Sequence, residues 1–241
     1  MWDWAAFFHY AASPFLLQGA ALTLGISLAS IALGLVCGLA AALARTSRRA
    51  IWNRPAAAYI WLMRGTPVLV QLIIIYTGLP QLGLRLGVIE AAIIGLGVNE
   101  GAYLAEIFRA GIAAVPGGQS EAARAIGLSS AKTMRLVVLP QALRIVIPPL
   151  GNAFNGLMKT SSLASVISMD ELLRRTEMLI QVEFKVLEIF IVAALYYLAM
   201  TTAWGFVQAW LERRFARGFT IDATHRRPAA PQAGLPLPEG A

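Results

Sequence analysis

From Gln18 to Ala44 the chain carries no charged side chain. A run of this length is too apolar to stay in water. Roughly 20 mostly apolar residues cross the ~30 Å hydrocarbon core of a bilayer, so this one spans a membrane with length left over for tilt. The composition extends the point to the whole chain: 58% hydrophobic and 14% charged residues, with a mean hydropathy of +0.65. Soluble domains run near 45–50% and 25% respectively. Intrinsic disorder is excluded for most of the chain, because it needs low hydrophobicity and high charge. A disulfide scaffold is excluded because Cys37 is the only cysteine.

Four further apolar stretches follow. Ala56 to Gly78 contains only Arg64. Ile89 to Phe108 contains Glu90, Glu100 and Glu106. Ile145 to Ser168 contains Lys159, and Leu187 to Leu211 contains Glu188. The expected fold class is therefore all-α, a polytopic membrane protein of about five transmembrane helices. With five spans the termini lie on opposite sides, and the basic residues decide which is which. Of the 20 Lys and Arg, 14 fall in one set of connecting segments: Arg45, Arg48, Arg49 and Arg54, then the five from Arg109 to Arg144, then the five from Arg213 to Arg227. Only Arg85, Arg174, Arg175 and Lys185 fall in the other. Basic residues concentrate on the cytoplasmic side, so the N terminus is expected outside. The net charge of +7 then reflects topology, and no nucleic-acid partner is expected.

Residues 1–17, with Trp2, Trp4, Phe7 and Phe8, read as an external interfacial segment. Residues 18–214 form the membrane domain, and 215–241, rich in Pro and Ala, read as a disordered cytoplasmic tail.

Residues able to do chemistry are few. His9 and His225 lie outside the spans, and no second cysteine exists to build a metal site. Ile126 to Thr133 ends in Lys-Thr like a phosphate loop but lacks both glycines. Neither catalysis nor a cofactor or metal is expected on this chain. GxxxG spacing at Gly34/Gly38 and Gly97/Gly101 suits close helix packing. Charges at bilayer depth cost several kcal/mol unless paired or hydrated, so each is a functional-site hypothesis. Glu106 is expected to pair with Arg109 at i,i+3. Asn99 and Glu100 on the third span, with Asn152, Asn155, Lys159, Thr160 and Ser161 on the fourth, are candidates for a polar substrate path. Asn152, Asn155 and Lys159 share one helical face by spacing. The alternative is that Glu100 and Lys159 pair and hold the two spans together.

The loop 116–141 between the third and fourth spans is the most informative stretch. Pro116-Gly117-Gly118 is expected to stop one helix and Ser120 to cap the next, with Glu121 in its first turn. Ala122, Ala123 and Ile126 then share one side, and Gly127 suits a left-handed cap. A second short helix from Ser129 or Ser130 is expected to end at Leu139, since Pro140 cannot donate. Small apolar residues exposed here need a partner, or rest on the chain's own bundle.

Glu121-Ala122-Ala123, three residues, Gly127, nine residues, Val137, one residue, then Leu139-Pro140 is similar to the EAA loop of ABC-transporter permease subunits, with Val137 standing where isoleucine is usual. Around it, Arg64-Gly65-Thr66-Pro67, Val70-Gln71-Leu72, Gly101-Ala102-Tyr103-Leu104-Ala105-Glu106-Ile107 and Lys159-Thr160-Ser161-Ser162-Leu163 resemble the polar amino-acid permeases of bacterial import systems. The resemblance implies a five-span permease of the bacterial inner membrane that pairs with a second copy or a paralogous permease. It implies that Glu121, Ala122, Ala123, Gly127, Leu139 and Pro140 dock on a cytoplasmic ABC ATPase dimer that holds ATP and magnesium. A periplasmic solute-binding protein would deliver a small polar amino acid or similar zwitterion. The competing reading is a self-sufficient secondary transporter or channel using Glu100 and Lys159 for ion coupling.

Overall fold

The computed structural model describes residues 2–216, which are helical apart from short connections. Among the described residues, four helices are long and apolar enough to cross a membrane, and a fifth crossing forms if one sharply bent pair counts as a single span.

A short helix, α1 (Trp4–Ala11), precedes the first span and is capped by Asp3, whose carboxylate accepts the Ala6 N–H at 3.0 Å. The first span, α2 (Pro14–Thr46), opens with proline at its first position, where the missing N–H costs nothing. It therefore starts four residues before the charge-free run at Gln18. Its buried face is made of small residues, Gly19, Thr23, Ser27, Ser30, Gly34, Gly38 and Ala41 among them. That face packs against α5 (Val88–Ala113), whose Gly97, Gly101 and Ala105 are equally small. Backbones approach so closely that a Cβ on Gly38 would lie 2.9 Å from the Gly101 carbonyl oxygen, and one on Gly97 would lie 2.9 Å from that of Ser30. The two GxxxG motifs face each other within the chain. Lipid supplies no hydrophobic drive between helices, so this close contact is what holds the pair.

The second apolar stretch is not one helix. It divides into α3 (Ala50–Gly65) and α4 (Val68–Ile73), bent by 106° at Thr66-Pro67. Proline pushes the residue before it into extended backbone, and Thr66 adopts φ −124° and ψ 146°. Beyond α4 the chain winds through a π turn, Ile74–Gly78, and a 3-10 turn, Leu79–Leu82.

After α5 come α6 (Gly117–Ala125) and α7 (Ser130–Thr133). The α6 helix begins directly after Pro116, so Gly117 and Gly118 form its first turn and Ser120 does not cap it. The expected stop at Leu139 is also absent. A π turn, Met134–Val138, leads into α8 (Leu139–Thr160), and the Leu139 N–H reaches back to the Met134 carbonyl. Pro140 thus falls in the opening turn of α8, where its missing donor is tolerated. One continuous helical rod results, from Ser130 to Ile167, closing in a 3-10 turn.

An amphipathic helix that the sequence reading omitted, α9 (Leu172–Glu183), lies between α8 and the last span, α10 (Val186–Ala216). Residues 215 and 216 thus belong to α10, not to a tail. The expected disorder of 217–241 lies outside the described residues. The first helix is tied to the start of α10 by Asp3–Lys185 at 3.0 Å and by the Asp3 N–H to Glu188 at 2.9 Å.

Candidate functional site

The break between α3 and α4 exposes backbone groups that hydrocarbon cannot satisfy. Gln71 supplies the partners. Its Nε2 donates to the Met63 carbonyl at 3.0 Å and to Thr66 Oγ1 at 2.7 Å. Asn99 on α5 donates to the Met63 carbonyl at 2.9 Å and to Gln71 Oε1 at 3.0 Å. Both amide hydrogens of Asn99 are thereby committed to holding the break in place, leaving only its Oδ1 for a solute.

Beside the break a cavity of about 480 Å³ opens between Thr66-Pro67, α5 and α8. Its polar lining is Thr66, Asn99, Glu100, Tyr103 and Thr160, set among Pro149, Ala153 and Leu157. The Glu100 carboxyl forms no hydrogen bond or ion pair with any described residue. Arg64 does not line the cavity, but its guanidinium stands 5.3 Å from the ring centroid of Tyr103, which does, a cation–π distance. The cavity therefore has an unpaired acid in its wall and a cation stacked on one of its lining residues.

The other path candidates separate. Thr160 reaches the cavity, but Asn152 turns to α10, where its Oδ1 accepts from Gln208 at 3.2 Å. Asn155 is half-buried and its Oδ1 has no partner. Ser161 is buried and its hydroxyl returns to the Met158 carbonyl at 2.9 Å. Lys159 is exposed and does not pair with Glu100, so the expected tie between the two spans is absent. The Asn152, Asn155 and Lys159 face lies one helical step from the face formed by Pro149, Ala153, Gly156 and Thr160, and only the latter lines the cavity. Glu106 pairs with Arg109 at 2.7 Å, as its spacing implies.

Sequence reasoning met Arg64, Thr66, Gln71 and Tyr103 only within the family motifs and gave none of them a place in the substrate path. A polar residue inside the apolar run Val68–Ile75, directly after Gly-Thr-Pro, is the signal that could have found the break.

At the far end of α5 the α6–α7 hairpin shows a complete Schellman closure. Gly127 adopts φ +84°, its N–H meets the Arg124 carbonyl at 2.9 Å, and the Leu128 N–H meets that of Ala123 at 3.1 Å. Ala123 is buried, and α6 packs against the Met134–Val138 turn. Glu121, Ala122, Leu139 and Pro140 are exposed, and Ile126 is 79% exposed. The hairpin thus rests partly on its own bundle and leaves an acidic and apolar edge uncovered. Ala122 and Ala123 do not share an exposed side.

A helical bundle with a sharply bent helix pair, a polar cavity beside the bend and a partly exposed hairpin is an architecture suited to a membrane transport protein. This chain belongs to the family described as "Binding-protein-dependent transport system inner membrane component", whose model matches residues 30–217. It is 42% identical over 203 residues to the probable amino-acid ABC transporter permease protein YckA of Bacillus subtilis (strain 168), covering 84% of this chain and 90% of that one. It is 42% identical over 214 residues to the glutamine transport system permease protein GlnP of Escherichia coli (strain K12), covering 88% and 97%. A solved structure described as an amino acid ABC transporter with histidines superposes with a TM-score of 0.84 at 37% identity, covering 89% of this chain and 99% of that one. Family membership sets aside the self-sufficient transporter or channel.

Proposed function

We propose that the chain is the translocating subunit of an ATP-driven importer for a polar amino acid or similar small zwitterion. The observation that carries the substrate class is the cavity, with Glu100 unpaired in its wall and Arg64 stacked on the lining residue Tyr103. A zwitterion needs a partner for each charge, because a bare one in a dry site is costly. Glu100 meets the ammonium, while Arg64 takes the carboxylate role that spacing alone had given to Lys159. Thr66, Asn99 Oδ1 and Thr160 offer neutral partners. Relatives named for glutamine, arginine and cystine support an amino acid without choosing one.

The α6–α7 side faces the cytoplasm in this reading, as the basic residues indicate. There Glu121, Ala122, Gly127, Leu139 and Pro140 offer the edge on which an ABC ATPase dimer docks, and that dimer holds the ATP and magnesium. Ala123, buried beneath, shapes the hairpin. A second permease copy or paralogue closes the open side of the cavity, and a periplasmic binding protein delivers the solute to the end that carries α1 and α9.

The test is reconstitution. An ATPase subunit should co-purify with the chain, and proteoliposomes loaded with ATP should take up a labelled polar amino acid only when the binding protein is present. Uptake without ATP, or without an ATPase subunit, overturns the proposal. Glu100→Gln and Arg64→Met should each reduce uptake while the complex still assembles.

A further inference from the structure

The segment joining α8 to α10 contains a carboxylate that the translocation reading leaves unused. Glu171 is 0% exposed, yet donors from three elements converge on it. Its Oε1 accepts the Arg174 N–H at 2.8 Å. Its Oε2 accepts the Leu173 N–H at 3.0 Å and the Tyr197 hydroxyl of α10 at 2.9 Å, and the Thr23 hydroxyl of α2 stands 3.4 Å away, its one proton shared with the nearer Gly19 carbonyl at 3.0 Å. Thr23 in turn accepts the Leu172 N–H at 3.1 Å. Next to this knot, the Arg175 guanidinium donates to the Phe15 carbonyl and to Gln18, both at 3.0 Å. Gly19 lets α9 sit so close that an added Cβ would lie 3.0 Å from Leu172 Cα.

Glu171 caps α9, but a cap needs no charge; Ser, Thr or Asn serves as well. Burial pushes the Glu171 carboxyl above the usual carboxylate range, against the pull of its four donors. The ionised form therefore costs the fold something. What it adds is stiffness, since charge-assisted hydrogen bonds are roughly twice as strong as neutral ones. Stiffness matters because of where the knot sits. The rod from Ser130 to Ile167 has the α6–α7 hairpin at one end and Thr160, beside the cavity, near the other. Glu171 follows directly beyond that second end.

We propose that Glu171 is a positioning residue, the external fulcrum of this rod. It fixes the α8–α9 junction to α2 and α10, so that displacement at the hairpin swings α8 across the cavity and cannot slide the rod along its axis. The inference rests on the permease reading.

The experiment uses the complete complex with its ATPase and binding protein in proteoliposomes and reads solute taken up per ATP hydrolysed. Glu171→Gln should leave assembly and stimulated ATP hydrolysis near wild type and lower the uptake ratio about fivefold or more, within the range that coupling residues command. Tyr197→Phe and Thr23→Val should lower it less. Acidifying the external face should lower the wild-type ratio, because the carboxyl, raised by burial, loses its charge at milder acidity than an exposed one. The Gln variant should stay flat. Asp170, Arg174 and Arg175 beside it and Tyr197 on α10 are the titratable or charged groups around Glu171, while α2 presents Thr23 and Gln18, which do not titrate. An unchanged ratio and pH profile in Glu171→Gln overturns the proposal, as does a loss of uptake and hydrolysis in step with the amount of folded complex. If that variant fails to assemble, the ratios of Tyr197→Phe and Thr23→Val decide. A wild-type complex with no ATP-driven uptake overturns the permease reading and the fulcrum together, whereas a coupled wild type with unaltered variants overturns the fulcrum alone.

Discussion

Gln71 and Glu100 are both polar residues at membrane depth, and they do opposite things. Gln71 is buried and spends its amide on Met63, Thr66 and Asn99, so it holds a broken helix together. Glu100 spends nothing on the protein. Gln71→Leu should therefore lower the melting temperature in detergent, by an amount reflecting about 1–2 kcal/mol of lost intramembrane hydrogen bonding. Glu100→Gln and Lys159→Met should leave the melting temperature within experimental error of wild type. A clear drop for either would restore the paired-charge alternative. That alternative was open in the sequence because spacing defines a helical face but not the rotation of one helix against another. Glu106 and Arg109 lie on one helix, so their pairing could be read from separation alone. Glu100 and Lys159 lie on different helices, and their relation could not.

Elements differ in how much of them is written locally. The contact between α2 and α5 is legible because two GxxxG motifs are small wherever they occur, and small residues admit backbones. Gly38→Ala should destabilise by about 1–3 kcal/mol, since its Cβ would press on Leu104 and the Gly101 carbonyl. Gly25→Ala, in the same helix with nothing within 4 Å, should be neutral. Equal melting temperatures for the two variants would remove the close-packing account. At the hairpin, Gly127 is needed for its positive φ and not for space, because nothing lies within 4 Å of its absent Cβ. Gly127→Val should strain that turn, leaving the spans folded but reducing ATPase stimulation by the loaded binding protein. Helix ends were less legible. Pro116-Gly117-Gly118 read as a stop, and α5 does end before it at Ala113, yet the next helix starts at Gly117, ahead of the Ser120 expected to cap it. Pro140 read as a terminator, yet an upstream π turn absorbs it. In each case a neighbouring turn geometry that composition does not encode decided the outcome.

Across the whole molecule, the count of crossings depends on the bent pair α3–α4. If Ala50 to Leu82 crosses as one broken span, the termini end on opposite sides, as the basic residues require. Accessibility labels at Arg48 and at Arg85 should then report opposite faces, and those at Arg85 and Arg175 the same face. Labels at Arg48 and Arg85 on one face would make the pair a re-entrant loop and leave four spans. The π turn at Met134–Val138 has a consequence for the phase of the molecule. A π turn holds one residue more than the α-helix that would replace it. It spends that residue on roughly the same rotation, so deleting a single residue there would let the rod relax into regular α-helix with its far side kept nearly in phase. The same deletion from a regular α turn would rotate the far side by about 100°. After deletion within the π turn, the hairpin would keep both its own fold and the direction of its exposed edge. The extra residue among those five thus acts as slack, letting the chain change length between the cavity and the hairpin without resetting the angle between them.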